Sequence, residues 1–136
     1  MQLSGVSEQD RVTEIKSYRD LEVWQKAMDI AVECYKLAQT FPRTETYGLC
    51  SQLQRAASSI PANIAEGRGR GHTKEFLQFL SIAYGSLAEL ETHLILAERL
   101  GYINSDRVGK VLSSAAEVGR MLNGLQASLR RKSEAR

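Results

Sequence analysis

Phe76, Leu80, Ala83, Leu87, Leu90, Leu94 and Ala97 follow one another at alternating spacings of four and three. Only an α-helix returns side chains to one face at that rhythm. The pattern predicts a helix from about Thr73 to Leu100. Glu75 falls in its first turn, where an acid meets the positive end of the helix dipole. Gly101-Tyr102-Ile103 closes it. Three other segments repeat the rhythm. Val23, Ala27, Ile30, Cys34, Leu37 and Phe41 predict a helix over about Leu21 to Phe41, capped by Asp20 and ended by Pro42. Leu49, Leu53, Ala56, Ile60 and Ile64 predict one over about Thr46 to Glu66. Val108, Val111, Ala115, Val118, Leu122, Leu125 and Leu129 predict one over about Ser105 to Arg130, capped by Asn104 or Ser105. Four such helices on short loops predict an all-α, antiparallel up-down-up-down bundle. The near-3.5 period adds shallow left-handed crossing.

The expected organisation is a leader over 1–17, the bundle over 18–130 and a basic tail over 131–136. The first helix carries a second apolar stripe, Trp24, Met28, Ala31, Tyr35 and Ala38. One bundle core uses one stripe, so the second predicts an oligomer, with aromatic anchors at the contact. Pro61 removes one backbone donor from the second helix. Either that helix kinks there or a new one starts with Ser59 as cap. The stripes continue through the proline, which favours one kinked helix. Gly67 is then the left-handed residue beyond its end.

Cys34 and Cys50 have neither a disulfide-framework nor a zinc spacing, and each lies among apolar residues. Both are expected to be reduced core side chains. No segment has the length and apolarity of a membrane span or a signal peptide, so the expected location is the cytoplasm. Residues 1–66 carry nine acidic and seven basic side chains, and residues 67–136 carry seven and eleven. The basic excess begins at Gly67-Arg68-Gly69-Arg70-Gly71 and recurs at Arg130-Arg131-Lys132.

Several motifs occur in a fixed order. They are Tyr18-Arg-Asp-Leu-Glu-Val-Trp24-Gln-Lys-Ala, Phe41-Pro42, Gln52-Leu-Gln-Arg55-Ala-Ala, Ser59-Ile-Pro-Ala-Asn-Ile-Ala-Glu-Gly67, and Phe76-Leu-Gln-Phe79-Leu-Ser-Ile-Ala83-Tyr-Gly-Ser86-Leu-Ala-Glu-Leu-Glu91. Together they closely resemble the 23S rRNA intervening-sequence protein family, densely from Tyr18 to Ile103 and by pattern over the fourth helix. The resemblance implies a four-helix bundle assembling as a homopentamer, with no established enzymatic activity. A related accessory protein of diversity-generating retroelements forms a similar basic pentamer and binds nucleic acid and a reverse transcriptase. That relative raises RNA or DNA, and a nucleic-acid-processing protein, as candidate partners.

Two sets of residues stand out as candidate sites. Gln52, Arg55, Ser59, Asn63 and Glu66 form a polar stripe beside the apolar stripe of the second helix. With Glu89 and Glu91 they are expected to make a structural polar network between helices or protomers. The glycine–arginine run has no preceding strand and the spacing G-x-G-x-G, so it is no dinucleotide loop. It is open to two readings. One is a helix cap and flexible link. The other is a phosphate-contacting loop of Arg68 and Arg70, extended by His72 and Lys74, with Arg130, Arg131 and Lys132 as a further basic segment.

No catalytic residue, cofactor or metal is expected. A di-metal bundle needs two Glu-x-x-His pairs. Neither His72 nor His93 follows a glutamate at that spacing, and Glu89 with His93 offers only one weaker pair. The resulting expectation is a non-enzymatic oligomeric bundle that binds nucleic acid, RNA foremost, through basic loops. The alternatives are a protein-binding scaffold without nucleic-acid contact and, behind it, a metal-dependent bundle enzyme.

Overall fold

The apolar faces read from the sequence are the faces that become buried. A computed structural model describes residues 16–134 of the chain. Residues 1–15 of the expected leader, and 135–136 of the expected tail, lie outside the described residues. Four α-helices account for most of the rest, with no strand among the described residues: α1 (Glu22–Ala38), α2 (Leu49–Gly69), α3 (Thr73–Arg99) and α4 (Ser105–Glu134). α1 packs on α2, α2 on α3, α3 on α4, and α4 back on α1. A single apolar core runs between them. Leu53, Ile60, Ile64, Leu80, Leu90, Leu94 and Leu122 are wholly buried in it. Each such side chain contributes about 1.5–3 kcal/mol relative to exposure.

Asp20 does not cap α1. It sits in a short 3-10 turn (Tyr18–Asp20), where Ser17 and Asp20 form a reciprocal capping box. α1 then starts after Leu21 with no side-chain cap. It ends at Ala38, three residues before Phe41, because the Thr40 and Phe41 amides tighten onto Leu37 and Ala38. Phe41 is still buried, its ring 5.6 Å from that of Tyr102. Within the second apolar stripe of α1, Ala31 and Ala38 are buried, while Met28 (38%) and Tyr35 (43%) are exposed together with Val32 (50%).

α2 starts later than the spacing suggests. Its Leu49 amide donates to the Glu45 carboxylate at 3.1 Å, so a residue four positions upstream supplies the cap. The helix passes through Pro61 without interruption, and Pro61 is buried. It also passes through Gly67, which corrects the expected helix end. Gly67 is helical and buried, and the left-handed residue is Gly71, with φ 80°. The reason lies in α3. A Cβ on Gly67 would stand 2.7 Å from Phe79 Cβ and 3.0 Å from Phe76 Cδ1. Glycine here permits a close helix crossing rather than a turn.

α4 is capped by Asn104, whose Oδ1 accepts the Arg107 amide at 2.9 Å. It continues through Arg130, Arg131 and Lys132 to Glu134. The first part of the expected tail is therefore helix, because Leu125 and Leu129 still pack against the core. No helix among the described residues is long and apolar enough to cross a membrane.

Cys34 and Cys50 are both buried and unbridged. Burial pushes the Cys34 thiol up to about 12, and burial also raises Cys50. The Cys50 thiol donates to the Ala38 carbonyl at 3.3 Å. Neither is poised as a thiolate nucleophile.

The α1–α2 and α3–α4 connections are tied together. The Tyr102 hydroxyl donates to Glu45 at 2.8 Å. That bond, then the Leu49 amide, holds the Glu45 carboxyl below its usual range, and the same bond raises Tyr102. A lowered carboxyl pKa adds stability above the ordinary glutamate range that is lost as pH falls through the folded value. A raised tyrosine pKa adds stability below about pH 10 that is lost as pH rises through the folded value. The stability difference between wild type and Tyr102→Phe is therefore expected to be flat around neutrality and to shrink at both acid and alkaline ends. Urea unfolding across pH measures this, and a difference constant at all pH values would contradict the tie.

Candidate nucleic-acid interface

The polar stripe of α2 divides along its length. Ser59 and Ser86 hydroxyls meet across the α2–α3 interface at 2.8 Å. The Asn63 amide nitrogen donates to the Ser59 carbonyl at 2.8 Å and to its hydroxyl at 2.9 Å. This half is an inter-helix network, closed by Ser86, which spacing alone did not single out. The rest does not join it. Gln52, Arg55 and Glu89 are exposed, and Glu91 is half-buried. None of these four has an ion pair among the described residues. Glu66 turns instead to Arg70.

Arg70 caps α2 and holds the corner into α3. Its guanidinium donates to Glu66 at 2.6 Å, lies 4.0 Å from Glu75 and stacks 5.2 Å from the Phe79 ring. A planar guanidinium suits this combination of carboxylate fork and aromatic face. Arg68 lies within the helix and is half-buried. The expected flexible arginine loop shrinks to Arg70, Gly71 and His72 between two helices. His72 and Lys74 are exposed at the start of α3.

The C-terminal basic segment is tied to α3 through Gln126. The Ser81 hydroxyl donates to Gln126 Oε1 at 3.3 Å, and Arg130 donates to that oxygen at 3.4 Å. Gly119 faces Leu87 one stretch earlier along the same pair of helices. Ser81, in the third turn of α3, thus meets the later part of α4; Arg130, Arg131 and Lys132 follow that contact in α4, and His72 and Lys74 precede it at the α3 start. Gln126 is buried and apolar spacing gives no hint of it. A polar residue at a core-facing position of α4 was the available signal. The acids close to this end, Glu66 and Glu75, are engaged by Arg70. Glu134 adds one exposed acid beyond them. The remaining exposed cations face solvent on neighbouring turns, an arrangement that attracts phosphate.

A groove of about 310 Å³ between α1 and α4 offers no such bias. Lys26 and Lys110 there are matched by Asp29, Glu33 and Glu117. Lys26 and Glu117 pair at 2.7 Å, and their hydrogen bond, then their charges, lowers the Glu117 pKa and raises that of Lys26. Among the described residues no three His, Cys, Asp or Glu side chains converge as metal ligands. Glu89 and His93 therefore gain no third ligand of these types among the described residues.

The chain matches the model of the 23S rRNA-intervening sequence protein family over residues 19–124. That span takes in α1 to α3 and most of α4, and leaves out Arg130, Arg131 and Lys132. The chain is also similar to the crystal structure of a protein with unknown function from the S23 ribosomal protein family of Bacteroides thetaiotaomicron. The TM-score is 0.72 at 25% identity, covering 76% of this chain and 97% of that one. No curated protein matches the chain.

Proposed function

The chain belongs to the 23S rRNA-intervening sequence protein family, and from that premise we propose a non-enzymatic, self-associating bundle that binds RNA through one cationic end. The reading is supported above all by the Ser81–Gln126–Arg130 contacts, which join the α4 segment ahead of Arg131 and Lys132 to the α3 segment that follows His72 and Lys74. Two basic segments far apart in sequence then act as one surface. Cytoplasmic RNA is the partner this surface suits, and a nucleic-acid-processing protein is a further partner of the same assembly.

The bundle is read as antiparallel, up-down-up-down. Lys26 with Glu117, Ser59 with Ser86, and Gly119 with Leu87 are pairings that short connections and opposed neighbours would produce. Self-association is supported by the exposed Met28, Val32 and Tyr35 stripe on α1. A homopentamer is what the family resemblance implies for it.

Salt dependence tests the RNA reading. Affinity for a labelled oligoribonucleotide, followed by fluorescence anisotropy, is expected to fall steeply as salt rises. Each phosphate contacted adds about 0.7 to 0.9 to the log–log slope. Arg131→Ala with Lys132→Ala is expected to reduce the slope by roughly 1–2 without changing the melting temperature. Arg70 is avoided because its loss would also loosen the α2–α3 corner. Salt-insensitive binding, or none, would favour a second reading, a protein-binding scaffold. The engagement of Arg70 by two carboxylates is the observation on that side.

A further inference from the structure

The segment between α1 and α2 is fixed by hydrogen bonds yet presents one aromatic ring almost entirely to water. The Glu45 amide donates to the Pro42 carbonyl at 2.9 Å, the Thr46 amide and hydroxyl both donate to the Arg43 carbonyl, and the Gly48 amide donates to Glu45 at 3.0 Å. The Glu45 carboxylate bridges the Leu49 amide and the Tyr102 hydroxyl. On this frame Tyr47 is 97% exposed. The ring therefore contributes nothing to the core, and its backbone is already ordered. Ordering beforehand removes part of the entropic cost of binding.

The surroundings select the kind of ligand. Arg43, Thr44 and Thr46 beside Tyr47 are exposed, polar or cationic, and none is apolar. A protein-binding hot spot sits instead among packed neighbours that exclude water. A lone ring with both faces open, next to a cation, is what an unpaired base and its phosphate use. Arg99 ends α3 and Arg107 lies in the first turn of α4, both exposed on either side of the connection that Tyr102 ties to this segment, with Glu98 and Asp106 next to them.

We propose that the α1–α2 connection is a stacking site for an unpaired base of single-stranded RNA, with Tyr47 supplying the ring and Arg43 contacting a phosphate. This rests on the RNA-binding reading and adds a second contact to it. Tyr47 lies just before the start of α2 and the cationic end lies at its other terminus, about 30 Å away at 1.5 Å per residue. A strand reaching both spans at most roughly nine nucleotides, the figure for a fully stacked strand at ~3.4 Å each.

The test compares a single-stranded oligoribonucleotide longer than that span with the same sequence as a duplex. Tyr47→Ala is expected to weaken single-strand binding about tenfold or more and to leave duplex binding unchanged. Tyr47→Trp is expected to restore single-strand binding. Full exposure of the ring means that neither variant should alter the melting curve. Salt-sensitive RNA binding that ignores Tyr47→Ala would remove the stacking site and leave the cationic end standing. Failure of the wild type to bind either probe would remove both. A change in sedimentation on Tyr47→Ala would assign the ring to a protein contact and overturn the proposal.

Discussion

Gly67→Val is expected to destabilise the protein by about 3 kcal/mol, whereas Gly69→Val, two residues on in the same helix, should change stability by less than about 0.5 kcal/mol. The helix-propensity change is the same for both. The difference is the neighbour. The Cβ at position 67 meets Phe79 Cβ at 2.7 Å, an atom that cannot move without its backbone. A Cβ at position 69 has nothing within 4 Å. Accommodating valine at 67 therefore requires α2 and α3 to separate locally, which would also strain the Arg70 stack on Phe79. Urea midpoints of the two variants at equal protein concentration measure the contrast. Equal midpoints would mean that α2 ends before Gly67 in solution.

Leu90→Ala is expected to cost about 2–5 kcal/mol, the range for deleting a buried leucine and leaving part of its cavity. Leu90 is fully buried at the middle of α3, in contact range of the common core. Leu96→Ala on the same helix is the control. Leu96 is 45% exposed, and in the separate chain its loss should stay within about 0.5 kcal/mol. Any further loss should depend on protein concentration, because a residue covered by a second copy adds stability by mass action. Thermal melts over a range of concentrations separate these contributions. A Leu90→Ala variant as stable as wild type would place the core elsewhere than on the four-three stripe.

Helix faces were legible because burial imposes a period, and the period is written in the apolar residues themselves. Helix ends were less so. Gly67 after Glu66 has the local chemistry of a helix terminus, and only Phe76 and Phe79, on another helix, explain why the chain carries on. The cap of α2 was missed for the opposite reason. Glu45 reaches forward from a 3-10 turn (Arg43–Glu45) instead of standing next to the first helical residue. Arg131 and Lys132 resemble a loose tail by composition, yet the leucines before them keep α4 against the core.

The candidate sites were legible as residue types and not as assemblies. Spacing put Gln52, Arg55, Ser59, Asn63 and Glu66 on one flank, but whether a member finds a partner depends on the residue opposite. Ser59 faces Ser86, while Arg55 faces solvent. The polar contact between α3 and the later part of α4 depended on Gln126, one polar residue in an apolar register. Tyr47 falls within the helix that spacing predicts from about Thr46, and no pattern in the sequence marks it. Its exposure is a property of the folded connection.

Repeating apolar stripes carry an ambiguity, since one helix can slide a turn along another and still match leucine to leucine. The Ser59–Asn63–Ser86 cluster breaks that degeneracy. Moving α3 by one turn against α2 would part the Ser59 and Ser86 hydroxyls and deprive the buried Ser86 of that partner, at about 1–3 kcal/mol if it stays unsatisfied. Three small polar side chains thus act as an index mark on an otherwise uniform scale. They fix which leucine meets which, and so fix how far the cationic end stands from the tyrosine at the far end of α2.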